Sequence, residues 1–334
     1  MGAPLSGDFI VIRQVRMRTE LLLLTFALIL CNAGRAQDPS STAPVEGLAA
    51  TVIPSSTILT IFKHVDEVNL VLSATDHHGH FVRDLDPSDL AISDNGEPPA
   101  KITYFEKRTG LPLRVAVLID TSDSVGYRFS FELKSAQMFL KKVVRPKTDA
   151  ALIVGFNQKP NLVQPLTSDL SRLSQALNSL KPRGETALSD AIALASDQLR
   201  TAPESDPVRR VIVIVTDGVD NSSHIKLNQA VEHALRAESV IYVMNVQDAP
   251  VTKEDRMGNQ IIRQLAEATG GRVLKGHENG DLAQSFRKIE DELRSQYAVG
   301  YRPRQLIANF FFRPVRVLGP KGIRIRCREG YYPQ

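Results

Sequence analysis

The chain has 334 residues, a formal charge of +4 at pH 7 and 43% hydrophobic residues. That length and apolar content suit two ordinary domains, or one large one with appendages, and exclude a disordered chain. Residues 1–36 hold four Arg, Asp8 and Glu20, so their removal leaves a charge of +2, too mild to argue for nucleic acid as a partner.

The N-terminal stretch reads as an export signal. Arg13, Arg16 and Arg18 precede an apolar run over 21–30, and Ala33-Gly34-Arg35-Ala36 offers a cut after Ala36. The run is short for a membrane span. An uncleaved anchor or lipidation at Cys31 would attach the chain to a membrane; Leu28-Ile29-Leu30 lacks the small residue that normally precedes a lipidated Cys. The expected location is secreted, periplasmic or elsewhere in the cell envelope. Cleavage leaves Cys327 alone, so no internal disulfide is expected. It reads as a small buried strand residue, although Arg324, Arg326 and Arg328 would favour a reactive thiolate. Residues 37–55, rich in Ser, Pro, Ala and Thr, read as a flexible linker.

Residues 56–108 read as a small β-domain of sandwich type. Val68-Asn69-Leu70-Val71-Leu72 and Ile102-Thr103-Tyr104-Phe105 contain strand formers, and Asp94-Asn95-Gly96 marks a turn. Asp76-His77-His78-Gly79-His80 reads as a hairpin tip. Its three imidazoles raise a zinc site as an alternative, but the turn does not converge them and no fourth ligand is evident.

From residue 112 the chain alternates strand and helix. The apolar run 115–119 predicts a buried parallel strand that ends abruptly at Asp120. A helix through Phe131, Met138, Phe139 and Val143 follows, with its Phe and Met positions expected in the core. Next come a strand over 151–156, an antiparallel edge strand at 161–163 and a helix to Leu180 capped by Thr167 or Ser168. A helix after Thr186 puts Leu188, Ile192, Ala195 and Leu199 on one face. Strands at 211–215, 240–244 and 272–274, with helices near 227–237 and 261–269, complete the set. Such alternation predicts right-handed crossovers and a doubly wound, mostly parallel sheet covered on both faces.

Asp120-Thr121-Ser122-Asp123-Ser124 places hard oxygen donors just past a strand's carboxyl end, where α/β sheets bind ligands. Alone the pattern is weak, because Ser122 or Asp123 can simply cap the next helix. Two later stretches add to it: Gly184-Glu185-Thr186-Ala187-Leu188, and a second buried strand ending in Thr216-Asp217-Gly218. Together they resemble the metal-ion-dependent adhesion site of von Willebrand factor type A domains, over about residues 112–275. The resemblance implies neighbouring strands ending at Asp120 and Asp217, and a metal set of Asp120, Ser122, Ser124, Thr186 and Asp217. Mg²⁺ is the implied ion, with Mn²⁺ or Ca²⁺ as alternatives, and a partner protein's Asp or Glu carboxylate would complete its shell. Asp123, Gly184, Glu185, Asp220 and Asn221 would form the partner-binding rim, with Asp123 and Asp220 also readable as cap and turn residues.

A connecting helix over 276–296 leads to a tail, 297–334, of short strands. In Arg313-Pro314-Val315-Arg316-Val317 and Ile323-Arg324-Ile325-Arg326 the alternating Arg reads as a solvated sheet face rather than a nucleic-acid surface. These strands are expected to complete the 56–108 β-unit, with the type A domain inserted in it. The layout resembles the exported VWFA-related proteins of acidobacteria. The implied function is an exported, metal-dependent adhesion module; an envelope scaffold with a permanently docked type A domain is the alternative. A metal-dependent hydrolase needs a positioned base, and His224 is the one nearby candidate.

Overall fold

The computed structural model describes residues 67–333 apart from 108–109, 127, 203–207, 248–251, 277–280 and 306–309, and the signal and linker assignments lie outside it. Within it, the described α/β domain is built on a six-stranded sheet of order β6-β5-β4-β7-β8-β9. Its strands are β4 (Leu113–Asp120), β5 (Ala150–Phe156), β6 (Pro160–Thr167), β7 (Arg209–Thr216), β8 (Ser239–Asn245) and β9 (Arg272–Lys275). All pair in parallel except the edge strand β6.

Continuous apolar sequence is what a doubly covered strand requires. Val115, Val117 and Ile119 of β4 face one helical layer: α1 (Phe129–Val143), α2 (Leu170–Ser179) and α6 (Asp281–Leu293). Ala116 and Leu118 face the other: α3 (Leu188–Thr201), α4 (Leu227–Arg236) and α5 (Lys253–Ala268). All five strand residues are fully buried.

Three expectations need correction here. Phe131 and Met138 are not core; they are 41% and 44% exposed. The buried stripe of α1 runs through Phe129, Glu132, Ala136, Phe139, Leu140 and Val143, and helical phase leaves the two apolar side chains outside it. α2 is capped by Asp169, which accepts from the Ser171 and Arg172 amides; Thr167 belongs to β6. α5 begins eight residues before Ile261, at a capping box in which the Thr252 hydroxyl accepts from the Asp255 amide and the Asp255 carboxylate accepts from the Thr252 amide.

The flanks form two antiparallel sheets. β1 (Val68–Thr75), β3 (Lys101–Lys107), β10 (Tyr297–Arg302) and β12 (Arg324–Arg326) give the order β12-β1-β10-β3. β2 (Ala91–Asp94), β11 (Arg313–Leu318) and β13 (Gly330–Tyr331) give β13-β11-β2. Leu70 and Leu72 of β1, Ile92 of β2, Tyr297 and Tyr301 of β10, and Val315 and Val317 of β11 share one core. The sheets are therefore layers of one sandwich. β10, which follows the α/β domain in sequence, lies between β1 and β3, which precede it. His77, His78 and His80 sit on the exposed tip after β1, where the Asp76 carboxylate accepts from the His78 and His80 amides.

The tail arginines are not uniformly solvated, which corrects the expected solvated Arg face. Arg313 reaches the buried Asp94 at 2.6 Å, and the Tyr301 and Tyr331 hydroxyls donate to the same carboxylate. Arg326 pairs with Glu292 of α6, a fully buried carboxylate. The Glu292 carboxylate also accepts from the Tyr242 hydroxyl of β8 and stands 2.9 Å from Arg272 Nε, in ion-pair contact though off the hydrogen-bonding direction. Cys327 packs against the sandwich core, and burial pushes its thiol up to about 11 despite the Arg328 charge, so it is not a reactive thiolate.

Glu292 thus joins the last helix of the α/β domain to the sandwich. Glu292→Ala leaves two half-buried guanidinium groups without their carboxylate. It should cost about 3–5 kcal/mol, read as a lower denaturation midpoint with an unchanged slope in urea titrations.

Candidate functional site

β4 and β7 are adjacent and parallel, with Ile119 opposite Val215, so both chains leave the sheet at the same edge. Asp120 ends β4 fully buried. Its carboxylate accepts from the Thr216 hydroxyl of β7 at 2.7 Å and from the Ser122 amide at 2.9 Å. Asp217 follows Thr216, half-buried, and accepts from the Val219 amide at 3.3 Å. Burial pushes the Asp120 carboxyl up to about 6; the Thr216 hydroxyl pulls against this, and the Asp217 charge adds to it. The Asp217 charge therefore acts on Asp120 across the strand pair.

The loops around them are stitched by backbone. The Asp123 amide donates to the Gly184 carbonyl at 2.9 Å, and the Arg183 amide to Thr121. Gly184 has φ +84°, a left-handed conformation that favours glycine. Buried Thr186 is held from both sides: its amide donates to Asn221 Oδ1, and its carbonyl accepts from the Asn221 and Ser222 amides. Gly218 has φ +90°, and a Cβ there would stand 2.9 Å from the Gly258 carbonyl, so glycine lets α5 lie against the Asp217 turn.

Asp120, Ser122, Thr186 and Asp217 thus lie on interlocked loops at one sheet edge. Ser122 is buried beside Asp120, while the Ser124 side chain is outside the described set. Of the rim residues, Asp123, Glu185 and Asn221 are exposed. Asp220 turns inward and caps α3, accepting from the Ser189 amide at 3.0 Å and its hydroxyl at 2.6 Å. His224 bonds Asp190 of α3 through Nδ1 at 2.8 Å.

Two residues of this edge escape a motif reading. Thr216 could be found only by knowing that its strand adjoins Asp120. Glu132 is 1% exposed, and both its carboxylate oxygens lack a hydrogen-bond partner. Burial pushes it up to about 8, with Asp120 adding, Arg128 opposing and Asp217 adding again. Its place in the Phe129–Ala136 stripe was the available signal.

Residues 115–219 match the family described as von Willebrand factor type A domain. The chain carries a von Willebrand factor type A domain. Domains of this type are protein-interaction modules, generally without enzymatic activity. An uncharacterized protein of Borreliella burgdorferi is 26% identical over 140 residues, and the aligned part spans 40% of each chain. Among solved structures, a von Willebrand factor type A protein from Catenulispora acidiphila is 13% identical, with a TM-score of 0.46 over 80% of this chain and 73% of that one. The vWF domain of the type V pili tip protein Mfa5 from Porphyromonas gingivalis is 24% identical, with a TM-score of 0.30 over 33% and 39%.

The raised carboxyls set a pH dependence for the metal-free protein. Asp120 and Glu132 hold protons in the folded chain that the unfolded chain releases at 3.8 and 4.5, up to about pH 6 and 8 respectively. Their contribution is largest below the unfolded values and is lost as pH rises through the folded ones. Melts in EDTA should therefore fall from about pH 5 to about pH 8. Glu132→Gln should flatten the upper half of that fall.

Proposed function

We propose that this chain is an exported, divalent-cation-dependent protein-binding module of adhesion type, located in the cell envelope or secreted. The observation that carries the reading is the placement of Asp120 and Asp217 at neighbouring strand ends, with Asp120 fully buried and, among the described residues, supplied with hydroxyl and amide donors only. Among the described residues no guanidinium or ammonium answers the Asp120 charge in the way Arg145 answers the buried Asp149. A cation at these strand ends would answer the Asp120 charge.

The donor set fits a hard ion. The carboxylates of Asp120 and Asp217 contribute two negative charges, and the hydroxyls of Ser122, Ser124 and Thr186 add neutral oxygen. When bound, Mg²⁺, or Mn²⁺ or Ca²⁺ in its place, offers an electrophilic position to an Asp or Glu carboxylate of a partner protein. Thr186 is held in place by Asn221 and Ser222, so its hydroxyl is positioned by backbone rather than by its own rotamer alone. Asp123 and Glu185 stand exposed at the rim to meet the partner. Export rests on the basic, apolar and small-residue succession ending at Ala36.

Calorimetry with Mg²⁺ and Mn²⁺ and capture from envelope and culture extracts test the reading. Asp217→Ala removes one of two balancing charges and should weaken ion binding more than Thr186→Ala, which removes a neutral donor. Added Mg²⁺ should stabilise the wild type by about 2.7 kcal/mol at a hundredfold excess over Kd, and this gain should shrink in both variants. Partner capture should be lost in EDTA. Capture that persists in EDTA, from a protein binding neither ion at millimolar concentration, would leave the permanently docked scaffold as the better account.

A further inference from the structure

Five acidic side chains are buried among the described residues: Asp94, Asp120, Glu132, Asp149 and Glu292. Three have a guanidinium partner: Asp94 has Arg313, Asp149 has Arg145 at 2.8 Å, and Glu292 has Arg272 and Arg326. These three are accounted for as structural ion pairs. Asp120 takes hydroxyl and amide donors instead. Glu132 has nothing on either oxygen. A buried carboxylate in that condition calls for a specific explanation, such as an ion or an ordered water that it holds.

Its position says which. Glu132 lies in the first turn of α1, on the stripe with Phe129, Ala136 and Phe139 that packs on Val117, Ile119, Val213 and Val215. α1 starts at the carboxyl edge, immediately after the loop that carries Ser122. Its first turn therefore sits beneath that loop, and its buried face looks at the strands whose next residues are Asp120 and Asp217. Both acids act on Glu132 electrostatically. At the same time, no three His, Cys, Asp or Glu side chains among the described residues converge closely enough to hold one ion directly. Glu132 therefore does not join Asp120 and Asp217 as a direct ligand of one ion.

We propose that Glu132 is a positioning residue of the cation site, its carboxylate accepting hydrogen bonds from a water or hydroxyl bound to the ion. The inference rests on the cation-binding reading above. Water and hydroxyl groups on a divalent ion become strong donors, and they need acceptors on the protein side. An otherwise unpartnered carboxyl under the site is such an acceptor, and a cation there favours its ionised form over the protonated one it holds in the metal-free chain. It leaves the outward position open to a partner.

Titration calorimetry of the full chain with Mn²⁺ and Mg²⁺ tests this, alongside melts in EDTA. Glu132→Gln keeps the shape and removes the charge. It should weaken ion binding by roughly tenfold or more, as loss of an outer-shell partner does, while melting in EDTA no lower than the wild type. Glu132→Asp keeps the charge and should recover part of the affinity. A purely structural Glu132 would give the opposite pattern, a lower melt in EDTA with the wild-type Kd, and that result overturns the proposal. A wild type that binds neither ion sinks this inference together with the reading beneath it; a wild type that binds, with Glu132→Gln binding equally, sinks this one alone. Should the Gln variant not fold, anomalous diffraction from Mn²⁺-soaked wild-type crystals decides: Glu132 against the ion's waters supports the proposal, and an ion remote from Glu132 overturns it.

Discussion

A carboxylate buried at the end of a central parallel strand is the constraint around which the upper edge of the α/β domain is arranged. Desolvating an ionised Asp costs several kcal/mol unless hydrogen bonds or a counter-charge answer it. Asp120 receives the Thr216 hydroxyl and the Ser122 amide, which hold it in one orientation, while Asp217 adds like charge beside it. Hydrophobic collapse alone would not choose this arrangement. The surrounding devices keep it in place: the Asp123–Gly184 backbone bond, the Asn221 grip on Thr186, and the Gly218–Gly258 approach that brings α5 against the Asp217 turn.

Most of the α/β architecture was legible because buried parallel strands announce themselves. The runs ending at Asp120 and Thr216 are apolar on both faces, and such runs fit few other environments. Helical phase was harder to read. Phe131 and Met138 are apolar by type, yet they lie off the stripe set by Phe129, Ala136 and Val143, and the stripe admits Glu132 in their place. Residue type and phase disagreed, and phase decided. The first half of α5 is too polar to show an apolar period, although Thr252 and Asp255 have the spacing of a capping box. The site loops were legible as a motif, but what holds them was not. The bonds from Thr216 to Asp120 and from Asn221 to Thr186 join segments that only the fold brings together.

The sandwich shows the same limit in another form. Strand formers in β1 and alternation in β11 identified strands, but neither says which strand pairs with which. The pairing explains why neither flank suffices. With β10 removed, β1 and β3 lose the strand between them, and the sheet opens in its middle. Asp94 then ties the layers: it lies in β2 and accepts from Tyr301 of the other sheet as well as from Tyr331 and Arg313 of its own. The arginines that looked like a solvated face are partly consumed in this way, because a short-cored sandwich gains more from satisfying a buried acid than from one more exposed cation.

The inserted arrangement also separates the sandwich from the edge that carries Asp120 and Asp217. Arg209, Arg210 and Ser239, at the amino ends of β7 and β8, line a cavity of about 390 Å³ together with Asn69, Val71 and Tyr104 of the sandwich. The sandwich therefore meets the α/β domain at the amino edge. An eight-residue strand such as β7 spans roughly 26 Å at about 3.3 Å per residue, so the Asp217 edge stands well away from that junction. A partner approaching the proposed cation site meets loops and not the sandwich. Among those loops Asp220 is committed to the start of α3, and Asn221 to Thr186. Asp123 and Glu185 remain as the exposed acids beside the site. Both would repel a carboxylate that misses the ion. These two charges disfavour acidic partner surfaces in general, so a partner fitting the proposed site would bring at most a single carboxylate onto the cation, set in a surface that is neutral or basic.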